Sequence, residues 1–249
     1  MLEFLEISSA TLWLIVAGAF LTGVLHGATG MAGGIAMTAI LSHLMGIKVA
    51  IPAMSCALIF SHASRVVFYW QNTDLEIVKR VLMFGVPMIV VGVLVFTVLD
   101  PKVVAIVFAG VLVLIFPVKY WARNKRIKTG PKLLAVASSI WGILAGNVIG
   151  PGFFLAPFLL GTGMNRLTFV GTLATITLAM NIIKLAIFGA TDLMNLRLFT
   201  LGVLIGVITI PGNWLGKEIL KRMSDDVHSL FLDGLIVVMI VNFVYLATN

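Results

Sequence analysis

GVLHGATGMAGG, residues 23–34, interrupts an apolar run with glycine at positions 23, 27, 30, 33 and 34. The stretch GILAGNVIGPGF, residues 142–153, does the same 119 positions later, with glycine at 142, 146, 150 and 152. Glycine and proline interrupt a helix and free backbone groups, which at membrane depth must face protein or a wet cavity. Gly/Pro-interrupted hydrophobic segments at corresponding positions of two halves point to a transporter's binding site.

The offset recurs beyond the glycines. His62 and Arg65 map onto Asn181 and Lys184, so the two halves read as diverged copies. Arg65 and Lys184 each sit deep in an apolar run, where a cation costs about 2.5–3.5 kcal/mol on insertion scales. The simplest use of such a cation is to hold an anion.

Hydrophobic residues make up 60% of the chain and charged residues 11%, with a mean hydropathy of +1.12. That composition excludes an ordinary soluble domain and predicts an all-helical polytopic membrane protein in contact with the lipid bilayer. The net charge of +7 lies mostly in short segments between apolar runs, without an aromatic-interleaved groove, so no nucleic acid is expected. The lone Cys56 permits no intramolecular disulfide. Glu3 and Glu6 precede the first apolar stretch where a basic leader would stand, which argues against a cleaved signal peptide.

The apolar runs divide the chain into an N-terminal transmembrane repeat, 1–122, a basic linker, 123–132, and a C-terminal repeat, 133–249. Each repeat opens with a glycine-broken helix pair, re-entrant or fully spanning, and continues with three long transmembrane helices. An odd number of net crossings per repeat makes the repeats inverted relative to each other. The linker carries Arg123, Lys125, Arg126, Lys128 and Lys132 without an acid, which places it in the cytoplasm and both termini outside. Of 17 Lys and Arg, 12 then fall inside and only Lys48, Lys102 and Arg197 outside.

Three constellations carry candidate chemistry. At the two breaks, a half-helix N-terminus with unpaired N–H groups makes an anion site. There Gly30, Gly33 and Gly34, and Gly150 and Gly152, would let a ligand approach the backbone. The competing reading is close helix packing through small residues. No Gly-Lys-[Ser/Thr] follows, so the first break is not a phosphate-binding loop. On the long helices, His62 and Arg65 share a face with Ser55, and Asn181 and Lys184 share one with Thr177. Arg65 would fork two donors onto an oxyanion and Lys184 would act as a point charge; the competing reading is snorkelling or a structural ion pair. Among the remaining polar groups, Asn147 would orient a ligand or cap a half-helix. His26 and Asp233 are the candidates for carrying a coupling proton, against structural and interfacial roles respectively. No zinc-protease motif, clustered Cys/His set or nucleophile elbow is present, so neither an enzyme nor a metal or cofactor is expected.

In order and duplication these segments resemble the TauE/SafE sulfite exporter family. Gly23 to Gly34 is similar to its first glycine-rich segment and Gly142 to Phe154 to its second. The helices holding Ser55 to Arg65 and Gly171 to Lys184 are similar to the polar-then-basic helices that follow each. The resemblance implies an inner-membrane carrier for small sulfur-containing anions such as sulfite or organosulfonates, moved in exchange for or along with protons. An anion channel, or a membrane subunit that carries nothing, stands as the alternative.

Overall fold

The computed structural model describes residues 5, 7–29, 32–124, 127–220, 222–223 and 225–248. Gly30, the linker residues Lys125 and Arg126, and the inner cation Lys221 lie outside the described residues. Ten α-helices and one 3-10 turn, with no strand, make up the described chain. They are α1 Ser9–Thr29, α2 Ala32–Met45, α3 Ile47–Tyr69, α4 Leu75–Val98, α5 Pro101–Asn124, α6 Pro131–Asn147, α7 Gly152–Leu160, α8 Arg166–Ala190, α9 Leu196–Leu220 and α10 Asp225–Thr248.

Local chemistry sets the boundaries. Asp74 opens α4 by accepting the Ile77 amide at 3.0 Å, and Asn165 opens α8 by accepting the Thr168 amide at 2.9 Å. Each satisfies a first-turn donor that has no helical acceptor. Pro131 starts α6 at a position where its missing N–H is no loss. Gly46, at φ 86°, turns the chain between α2 and α3.

Among the described residues five stretches are long and apolar enough to cross a membrane: Ser9–Thr29, Ile47–Asn72, Leu75–Val98, Leu167–Ala190 and Leu196–Ile219. Their outward faces carry large apolar side chains, Trp13, Val67, Val98 and Ile182 among them, as a lipid-facing surface does. In each half the first helix of the opening pair is the longer. The helix α1 has 21 residues and α2 has 14, while α6 has 17 and α7 has 9.

Packing repeats at the same offset as the sequence. The helix α1 lies along α9 and α6 lies along α4; α3 contacts α9 as α8 contacts α4; α2 touches α10 as α7 touches α5. At the centre α3 packs on α8, and α5 on α10, so each of these two pairs maps onto itself. Glycine permits the closest of these approaches. A methyl group on Gly27 would fall on the Asn213 backbone of α9, and one on Gly146 would fall on the backbone of Gly92 and Val93 in α4. The Gly-x-x-x-Gly pairs at 23/27 and 142/146 thus serve helix packing.

The first break differs from the sequence expectation. His26 to Thr29 continue α1, and Gly33 and Gly34 already belong to α2, so the described part of this glycine stretch is helical. Gly33 fills the space against Thr22 and His26 of the preceding helix. The second break is open backbone: α6 ends at Asn147, α7 starts at Gly152, and Gly150 takes φ 85° between them.

Candidate functional site

Three helices of the first half and two segments of the second meet around a small cavity of about 30 Å3. Its polar and glycine wall is His26 from α1, Gly34 from α2, His62 from α3, Gly150 and Gly152 from the second break, and Thr177 from α8. Leu58, Ile149, Leu173 and Met180 supply the apolar wall. Among the described residues no carboxylate lines it.

Arg65 stands behind the two histidines. Its Nη1 lies 2.8 Å from His26 Nε2 and 3.5 Å from His62 Nδ1, and the imidazole centroids are 5.4 Å apart. All three side chains are buried, none more than 5% exposed. His62 and Arg65 are three residues apart on one face of α3, as their spacing requires. His26 arrives from the last turn of α1, where its Nδ1 accepts the Gly34 amide at 3.2 Å.

The first turn of α2 is thereby capped from within the protein. The Ala32 amide donates to Thr29 Oγ1 at 3.1 Å, and the Gly34 amide to His26. These two amides differ from the unpaired donors expected of a half-helix end. At the second break no side chain caps α7, whose first residue, Gly152, borders the cavity.

Lys184 occupies the place in α8 that Arg65 occupies in α3, and it reaches the corresponding place in the partner helix. Arg65 touches His26, 39 positions before it, and Lys184 Nζ donates to Ala145 O, also 39 positions before it, at 2.8 Å. A second bond runs to Val148 O at 3.2 Å. The ammonium therefore holds the C-terminal carbonyls of α6, the negative end of that helix dipole. It is fully buried and does not line the cavity, so its charge meets carbonyl oxygens in place of the expected anion.

Of the other predicted residues Thr177 lines the cavity, whereas Ser55, Asn147, Asn181 and Asp233 do not. Ser55 is fully buried, with its hydroxyl donated to Ile51 O at 2.9 Å. Asn147 Nδ2 donates to Ile143 O, and Asn181 Nδ2 to Thr177 O, each at 2.9 Å; neither Oδ1 has a hydrogen-bond partner among the described residues. Thr177 reaches the cavity, but its hydrogen is directed to Leu173 O at 2.7 Å, so it presents lone pairs there. Asp233 lies in α10, where the Tyr120 hydroxyl of α5 donates to it at 3.3 Å. It is not part of the cavity wall.

The apolar wall was missed by residue-type reasoning. Leu173, Thr177 and Met180 follow one another at helical spacing on one face of α8, a signal that a face-by-face reading of that helix contains. Asn213 was missed as well. Its Nδ2 donates to Ser61 Oγ at 2.8 Å and ties α9 to α3 one residue before His62; an amide inside the apolar run of α9 was the available sign.

A family model described as Sulfite exporter TauE/SafE matches residues 15–243. No curated protein and no solved structure matches the chain.

Proposed function

The chain belongs to the sulfite exporter TauE/SafE family, and from that premise we propose an alternating-access carrier that holds its anion between the histidine pair and the second glycine break. Membership makes the protein a multi-pass membrane transporter for sulfur-containing anions and not an enzyme. The finer reading is that residues 1–122 and 133–249 form two inverted repeats in the plasma membrane. The basic linker 123–132 is then cytoplasmic and both termini are external.

The cavity is the observation that carries this reading. It draws its wall from both halves of the chain, and an arginine stands directly behind it. In repeat-built carriers the substrate sits near the midplane at the repeat interface, and rocking of one repeat against the other alternates access. Arg65 supplies the planar donor fork suited to an oxyanion, and Gly34, Gly150 and Gly152 bring backbone close to the ligand. At about 30 Å3 the cavity has room for little more than a water molecule. The arrangement is thus read as a narrowed state that widens to load. Lys184 fastens the end of α6, whose following residues Ile149 and Gly150 form part of the wall. Movement of that break is the opening motion we assign. A proton accompanies the anion, and the candidate carriers are Asp233, remote from the wall, and His26 at the site, which can take up a second proton only once its Nδ1 leaves the Gly34 amide.

Counterflow tests the carrier mechanism. Proteoliposomes preloaded with unlabelled sulfite, diluted into a trace of labelled sulfite, should accumulate label transiently above equilibrium, and a pH gradient should alter the initial rate. Label that only equilibrates would mark a channel and overturn alternating access. A rate indifferent to the gradient would remove the proton.

A further inference from the structure

The donors around His26 extend the function proposed above, on which this inference rests. Arg65 Nη1 lies 2.8 Å from His26 Nε2, and the Gly34 amide nitrogen lies 3.2 Å from His26 Nδ1. A guanidinium and a backbone amide nitrogen can only donate. An imidazole has one lone-pair nitrogen when neutral and none when charged. Whatever its proton count, at least one of the two contacts sets N–H against N–H. Turning the ring over places carbons against both neighbours, so an exchanged ring orientation offers no escape.

Gly34 decides which contact is sound. Its N–H is buried, points at Nδ1 and is fixed in direction by the α2 backbone, whereas the guanidinium carries five donors on a movable stem. The Nδ1 lone pair therefore belongs to Gly34, and Nε2 carries the hydrogen. That hydrogen faces Arg65 Nη1. His62 adds a further donor. Its Nδ1 can accept from the same Nη1 at 3.5 Å, which leaves its Nε2–H to donate elsewhere. Both histidines border the cavity, and among the described residues no carboxylate does.

We propose that an oxygen of a singly charged oxyanion inserts between Arg65 Nη1 and His26 Nε2, parting them and accepting from both. Two opposed donors then become two bonds to one ligand. His26 serves as a donor whose tautomer is held by the first turn of α2. The single charge follows from the cations placed here: among the described residues Arg65 is the one that touches the two histidines of the wall, whereas the ammonium of Lys184 is bonded to Ala145 O and Val148 O. A dianion would be left with one formal countercharge in a water-poor site, an expensive arrangement. Arg65 and His26 would also yield the room that the small cavity lacks.

The test uses purified protein labelled with 15N-histidine, titrated with methanesulfonate as a fixed monoanion, with sulfate as a dianion of similar head shape and with sulfite. The His26 signals, assigned by single-histidine variants, should show Nδ1 bare and Nε2 protonated before titration. Methanesulfonate or sulfite should then shift Nε2 while Nδ1 keeps its bond. Sulfate should bind at least about tenfold more weakly, and His26→Ala should lower the monoanion affinity about tenfold or more, the scale of one hydrogen bond to a charged group. The wild-type spectra decide the matter even if the variant does not fold. Binding that leaves His26 unmoved, a protonated Nδ1 with a bare Nε2, or sulfate binding as tightly as methanesulfonate overturns the inference alone. Absence of binding by every probe overturns the anion-carrier reading together with it.

Discussion

Gly146→Ala and Gly110→Ala are the same chemical change with opposite expected signs. Both positions are helical, in α6 and α5, so each replacement gains about 0.8–1.0 kcal/mol of helix propensity. At Gly110 nothing lies within 4 Å of the added methyl, and the gain stands. At Gly146 the methyl would lie 2.5 Å from Gly92 C and Val93 N, about 1 Å inside the ~3.5 Å at which such atoms pack. Those atoms are backbone and cannot rotate away, so α6 must lift from α4. Overpacking costs about 1–3 kcal/mol, and the backbone overlap puts this case at the upper end, leaving a net loss of about 2 kcal/mol. For a chain of this size about 1 kcal/mol moves the melting temperature by 2–4 °C. Thermal unfolding in detergent should therefore show Gly146→Ala about 4–8 °C below wild type and Gly110→Ala about 2–4 °C above it. A Gly146→Ala protein that melts with or above wild type would refute the close approach of α4 and α6.

Three further outcomes follow from the site and its supports. Arg65→Gln should weaken methanesulfonate binding to the purified protein at least about tenfold more than Lys184→Gln, because one cation touches the histidines of the cavity wall and the other is bonded to carbonyls; equal losses in calorimetric titration would contradict this. Gly150→Ala should destabilise by about 1–2 kcal/mol for a side chain in the left-handed region, and more because its methyl meets the Ile35 side chain. In an Ile35→Ala background, where the crowding is gone, Gly150→Ala should still lower the melting temperature by the backbone part alone, and no loss there would deny the backbone strain. Asp74→Ala removes the cap on α4 and should cost about 1 kcal/mol, read as a melting shift of a few degrees; no shift would show the Ile77 amide bond to be dispensable.

The helices were legible in the sequence because hydropathy and length are nearly sufficient to specify spans in lipid. The three long runs of each half appear as helices, α3, α4 and α5 and α8, α9 and α10. Among the described residues α3, α4, α8 and α9 are long and apolar enough to span, as is α1 of the opening pair, whereas only shorter apolar stretches are found in α5 and α10. The glycines were harder to read. Gly27 and Gly33 look like helix breakers by composition, yet both sit inside helices and serve close contact, with Asn213 of α9 and with Thr22 and His26 of α1. A glycine's two uses, conformational freedom and absence of bulk, are indistinguishable in one sequence. Gly150, with its positive φ, shows the first use in the same motif.

The site divides along similar lines. His62 and Arg65 could be placed together because i,i+3 spacing on a helix is local geometry. The approach of His26 to Arg65 is tertiary, and only the duplicated 39-residue separation between Ala145 and Lys184 hints at it. Lys184 shows the limit of reading charge from sequence. Its burial was foreseeable, but a long flexible stem can carry an ammonium to a ligand or to a neighbouring helix end with equal ease. The C-terminal carbonyls of α6 decide the matter, and they come from outside α8.

Sulfite flux into proteoliposomes containing wild type or Arg65→Gln, with folding verified by thermal melt, tests the assignment of the anion site most directly. Wild type should give saturable flux above empty vesicles, and Arg65→Gln should reduce it at least about tenfold at subsaturating sulfite, the loss expected for a charge-assisted bond. Undiminished, saturable flux through folded Arg65→Gln would show that the anion passes elsewhere and that the histidine–arginine cluster is structural.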